Sequence, residues 1–78
     1  MEERIINRML ELLDIQQANC IDSGATVSAN TLEKPKGGNK SQNSYYYGHL
    51  NMVDAIAIEF DMYLAKENGK HVLRPCKS

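Results

Sequence analysis

The stretch Tyr45–Gly69, YYYGHLNMVDAIAIEFDMYLAKENG, holds nearly half of the bulky apolar side chains of the chain, and its reading decides the fold. Taken as a helix, it brings Leu50, Val53, Ala57, Phe60 and Leu64, spaced by three and four, onto one face. Met52, Ile56 and Tyr63 form a second row beside the first, and Asn51, Asp54 and Asp61 keep to a narrow opposite stripe. An apolar arc this wide needs cover on more than one side.

The same residues also fit a strand. Ile56, Ile58, Phe60, Met62 and Leu64 alternate with Ala57, Glu59, Asp61, Tyr63 and Ala65, and Asn68-Gly69 would then turn a hairpin into a return strand at Lys70–Arg74. The helix is preferred because Ala, Met, Leu and Glu lose little freedom in it, and a strand of about a dozen residues exceeds the usual 5–6. Asn68-Gly69 then serves as a helix stop, with Lys66 at the negative end of the dipole.

Upstream, Glu2 to about Ile21 reads as an amphipathic helix. Ile5, Ile6, Met9, Leu10, Leu12 and Leu13 line one side, Arg4, Asn7, Arg8, Glu11 and Asp14 the other, and Ser23-Gly24 supplies a stop. Gln16 and Gln17 interrupt the apolar face before Cys20 and Ile21 resume it, so the last turn is expected to fray or bend away. The mixed charges of the polar face do not suit a membrane surface.

Between the helices, Ala25–Leu32 has weak strand character, with a short β element expected at 25–32, at 70–74, or at both and paired. Glu33–Ser44, EKPKGGNKSQNS, is rich in breakers and reads as a flexible polar loop at 33–44. In the tail, Val72 and Leu73 are the apolar anchors, Pro75 ends regular structure, and the last three residues are expected to fray.

The expected fold is therefore mainly α. Two amphipathic helices, about 2–21 and 46–68, lie in a single small domain spanning 1–78, with an α+β fold carrying a hairpin at 56–74 as the alternative. At 78 residues the chain is near the lower limit for a self-sufficient core, and the wide apolar arc would be covered by a second copy in a homodimeric helical bundle.

A net charge of −1 gives no general pull toward nucleic acid or membrane. Cys20 and Cys76 lack any metal-binding spacing, and MEERIINRML carries no signal peptide, so a cytoplasmic protein with free thiols and no cofactor is expected.

Three groups of residues bear on function. The apolar surplus, Met52, Ile56, Met62 and Tyr63, suits a protein contact, since methionine repacks readily and tyrosine joins area to a polar tip. Lys34, Lys36 and Lys40 with Tyr45, Tyr46 and Tyr47 offer cations for phosphates and rings for bases. His49 with Asp54, Glu59 and Asp61 would be the acid–base or metal cluster, but on a helix these residues do not converge, and His71 is not shown to approach them. The reading that follows is a non-enzymatic protein-interaction module (an adaptor, regulator or inhibitor of the size of a phage or mobile-element accessory protein) that pairs with itself and with a protein partner through a helix face. The alternative is a small nucleic-acid-binding regulator that uses the lysine loop and the three tyrosines.

Overall fold

The computed structural model describes residues 3–76, so the helix start expected at Glu2 and the terminal residues 77 and 78 lie outside them. Two 20-residue helices, α1 (Glu3–Asp22) and α2 (Lys40–Glu59), are followed by strands β1 (Met62–Glu67) and β2 (Lys70–Pro75). The fold is α+β, a helix pair with a C-terminal antiparallel hairpin packed against it.

Helix α1 ends where its sequence indicates. The Gly24 amide donates to Ile21 O, and the Ala25 amide to Cys20 O, the paired closure of a Schellman motif, with Ala25 and Cys20 both buried beneath it. The core seam of α1 is Leu10, Leu13, Gln17 and Cys20, so Gln17 continues the seam. The glutamines do not fray the helix, which runs unbroken to Asp22.

The connection differs from the flexible loop expected at 33–44. Thr26 and Lys36 exchange backbone bonds at 2.8 and 3.1 Å, and Pro35 is buried. The Ser23 hydroxyl donates to Cys20 O and accepts from the Asn39 amide, which ties the end of α1 to the start of α2. Asn39 caps α2 by accepting from the Gln42 amide at 2.9 Å, and Asn43 Nδ2 donates to Pro35 O and Gly37 O. The helix therefore starts at Lys40, six residues before the expected 46. Its first turn is polar because the connection, not the apolar core, covers that end. The β element expected at 25–32 is a single bridge to Lys36, and it does not pair with 71–73.

The long helix over 46–68 is corrected most. Helix α2 ends at Glu59, the Phe60 amide bonds back to Ala57 O, and Asp61 turns left-handed with φ of 59°. Aspartate tolerates that conformation far better than most residues. Asn68 and Gly69, with φ of 54° and 79°, then make a two-residue turn of the kind that matches strand twist, pairing Glu67 with Lys70 and Met62 with Pro75. The expected return strand at 70–74 is thus β2, and the hairpin occupies 62–75 rather than 56–74. Helix propensity separates these residues by only tenths of a kcal/mol each, which a ladder of cross-strand bonds and the burial of Leu64 outweigh.

Leu64, Lys66, His71 and Leu73 face the helices, while Tyr63, Glu67, Lys70 and Arg74 face out, with Arg74 paired to Glu67 across the strands. Tyr46, Leu50, Leu13, Cys20 and Leu64 form the centre of the core.

Candidate functional site

Two arrangements carry chemistry that sequence alone did not bring together. One is a buried polar chain beneath the hairpin. The other is an open apolar face on the helix pair.

The polar chain begins at Asp14 on α1. Its Oδ1 accepts from the His71 amide at 2.9 Å and lies 2.6 Å from His71 Nδ1. A carboxylate only accepts, so Nδ1 carries the proton and Nε2 is left to accept from the Tyr46 hydroxyl at 2.6 Å. Burial pushes the His71 pKa below its ordinary value despite the Asp14 carboxylate, and raises that of the Tyr46 hydroxyl. Beside this chain the Lys66 ammonium donates to Gln17 Oε1 at 2.6 Å, and Gln17 Nε2 donates to Gly69 O at 2.7 Å. Burial holds the Lys66 pKa down, with Glu33 and Asp14 pulling the other way.

An Asp–His–Tyr chain beside a buried lysine has the composition of acid–base machinery. Tyr46 is fully buried, His71 and Lys66 are each 3% exposed, and none of the three lines any surface cavity described for the chain. Each group is occupied in fastening the hairpin to the helices. Gln17 could have been found from its place in the seam, but nothing in the sequence signals the partners of His71, which are 25 and 57 residues away.

The open face lies between α1 and α2. A groove of about 200 Å³ at the end bearing the α1 N-terminus is lined by Ile6 and Met9 from α1, by Val53 and Ile56 from α2, by Phe60 just past its end, and by Met62 and Leu73 from the hairpin. A second groove shares Met9 and Val53 with it and continues past Leu12, Met52 and His49 to Tyr45 and Gln16. Tyr45 and His49 rest against each other at 4.3 Å, and the Gln16 carboxamide lies 2.9 Å from His49 Nδ1. Met52 and Tyr45 are each 58% exposed. The face is thus a continuous apolar strip with a polar aromatic edge at one end.

Of the residues expected to make protein contacts, Met52, Ile56 and Met62 line these grooves. Tyr63, 44% exposed, stands on the outer side of the hairpin, because strand alternation sends it away from Met62 and Leu64.

The lysine–tyrosine group is not assembled. Lys34, Lys36 and Lys40 lie around the connection and the N-terminus of α2, Tyr45 turns to His49, Tyr47 is half-buried, and Tyr46 is a core residue with no free ring face.

The acid–base group is also dispersed. Asp54 accepts from the Leu64 amide at 3.0 Å, Asp61 forms the helix–strand bend, and His49 holds Gln16. Among the described residues no three His, Cys, Asp or Glu side chains are placed to hold a metal ion, and no helix is long and apolar enough to cross a membrane. Cys20 is buried and Cys76 exposed, both as free thiols.

Comparison with known protein families, curated proteins and solved structures finds no match to this chain.

Proposed function

We propose that this protein is a non-enzymatic binding module whose working surface is the apolar face shared by α1 and α2. The observation that carries this is the continuity of the two grooves through Met9 and Val53. Contiguous apolar surface on a small domain is costly to leave in water and marks a contact site. Tyr46, Lys66 and His71, by contrast, are buried and engaged in holding the hairpin. Methionines at positions 9, 52 and 62 give the face a surface that repacks against its partner. A homodimeric bundle, with two such faces covering each other, belongs to the same reading.

The test is comparative capture from lysate after nuclease treatment, with the unaltered protein, Met52→Asp and Tyr63→Ser. The face reading expects Met52→Asp to lose the proteins recovered by the unaltered chain and Tyr63→Ser to retain them. Equal recovery by Met52→Asp sinks it.

A nucleic-acid reading keeps one supporting observation, the position of Lys34 and Lys40 beside the N-terminal end of α2, where the helix dipole favours phosphate. It requires binding that is strongly salt-dependent and lost on changing Lys34, Lys36 and Lys40 together to Gln. The burial of Tyr46 removes one of its three rings.

A further inference from the structure

We infer that the partner seated on the α1/α2 face is a second copy of this chain, related by a two-fold axis parallel to the helices, so that α1 of each copy lies antiparallel on α2 of the other. This rests on the preceding reading of the face and adds the identity and arrangement of its occupant.

Spacing is the first support. The α1 strip runs through positions 5, 9, 12 and 16 and the α2 strip through 45, 49, 52 and 56, both with steps of four, three and four. Laid antiparallel, Ile5, Met9 and Leu12 meet Ile56, Met52 and His49 of the second copy. A two-fold axis makes this contact twice, as an isologous interface requires. The steps are those of helices that pack side by side over several turns.

Charge is the second support. Arg8 lies three residues after Ile5 and four before Leu12, and it borders a shallow surface depression formed with Ile5 and Met9. Glu59 lies three residues after Ile56, on the matching flank of α2, and is exposed. Helical side chains lean toward their own N-terminus. In the antiparallel pair this tilts Arg8 and the Glu59 of the second copy toward each other. Within one chain Arg8 holds Glu11, a largely exposed pair of a kind worth little and readily exchanged.

Size is the third. Each 20-residue helix is about 30 Å long, and two axes 8–10 Å apart give a face roughly 20 Å wide, so its flat footprint is on the order of 600 Å². With side-chain relief this approaches the roughly 800 Å² per partner of a stable interface.

The experiment is sedimentation velocity on the full chain across the micromolar range, for the unaltered protein, Arg8→Glu, Glu59→Arg and an equimolar mixture of the two variants. Far-UV circular dichroism is recorded for each, so that loss of folding is seen separately. The expected result is a dimer for the unaltered chain and dissociation constants raised on the order of tenfold for each variant alone. The mixture should recover, because a heterodimer of the two variants restores opposite charges at both symmetry-related contacts. Folded variants that are each weakened without recovery on mixing, or that are not weakened at all, overturn the α1-on-α2 arrangement. A monomer throughout overturns self-pairing, and the broader reading of the face is then judged separately by whether Met52→Asp still loses captured proteins.

Discussion

The hairpin is fastened to the helices through Asp14, and removing that carboxylate should expose how much the attachment contributes. Asp14 Oδ1 accepts both the amide and the Nδ1–H of His71, a residue whose side chain has no exposure, while Asp14 itself is about one third exposed. Asp14→Ala leaves both donors buried with no acceptor. Hydrogen bonds to a charged group are worth about 1.5–3 kcal/mol each, and the partial exposure of Asp14 argues for the lower end, so the two together come to about 3 kcal/mol. For a domain of this size each kcal/mol moves the melting temperature by about 4–8 °C, so a drop of roughly 12–24 °C is expected. Asp14→Asn keeps an acceptor oxygen in place and should lose well under half of that. Melting is followed by circular dichroism at one low, fixed protein concentration, because any dimer would make the midpoint depend on concentration.

The same pair of variants separates the electrostatic part. His71 is held below its ordinary pKa by burial, with Asp14 partly opposing that effect. The folded state therefore prefers the neutral ring, while the unfolded chain takes up a proton below about pH 6.5. Stability is fully present above that pH and is lost as the pH falls from there toward the folded pKa. In Asp14→Asn the opposing charge is gone, the folded pKa falls further, and the acid loss between pH 7 and 5 becomes larger than in the unaltered protein. An Asp14→Ala protein that melts within about 3 °C of the unaltered chain would refute the fastening role. A smaller acid loss in Asp14→Asn would refute the assignment of a neutral, Nδ1-protonated His71.

Two further outcomes follow from the core and the connection. Tyr46→Phe deprives buried His71 Nε2 of its donor and should cost about 1–3 kcal/mol in urea unfolding at pH 7. Because burial raises the Tyr46 pKa, the unaltered protein should lose stability as the pH rises past about 10, where the unfolded tyrosine ionises first, and the Phe variant should lose less. Gly38→Ala would place a Cβ 2.6 Å from the Ala25 amide nitrogen at a φ of +64°, and a loss beyond about 2 kcal/mol is expected. Gly48→Ala meets nothing within 4 Å and should gain about 0.8–1 kcal/mol from helix propensity in thermal or urea melts of the monomer.

Helix α1 and its stop at Ser23-Gly24 were legible because an amphipathic period and a left-handed glycine are local signals. The Asn68-Gly69 turn was legible for the same reason, but the choice between helix and hairpin around it was not. Phe60 to Glu67 satisfies both periods, and the deciding residue, Asp61, has the same look on the polar stripe of a helix as at a left-handed bend. The start of α2 was hidden by a first turn whose partners are the Asn39 cap and the carbonyls of Pro35 and Gly37 rather than apolar neighbours. Lys66 fitted the last turn of a helix, yet its aliphatic stem is buried on the inner side of β1 and its ammonium ends on Gln17. The apolar surplus on Met52, Ile56 and Met62 was visible because it needed only helical spacing for the first two, whereas Tyr63 was assigned to the wrong side by the same helix.

Asp14 and Asp54, both expected on solvated stripes, make a matched pair in the structure. Asp54 accepts the amide of Leu64 at the outer edge of β1, and Asp14 accepts the amide of His71 at the outer edge of β2. A two-stranded sheet has only edges, and exposed edge amides invite another chain to add a strand. With an aspartate from each helix turned onto a strand edge, and with Pro75 lacking an amide proton at the end of β2, strand addition here would have to displace an anion from a position it already fills. Each edge of the hairpin thus has one outward amide already satisfied, and its outer side carries the Glu67–Arg74 pair. Among the described residues the α1/α2 face carries the continuous apolar grooves, and it is the surface proposed for association. The devices that fasten the hairpin to the helices therefore leave open the α1/α2 face, where a second chain is proposed to dock.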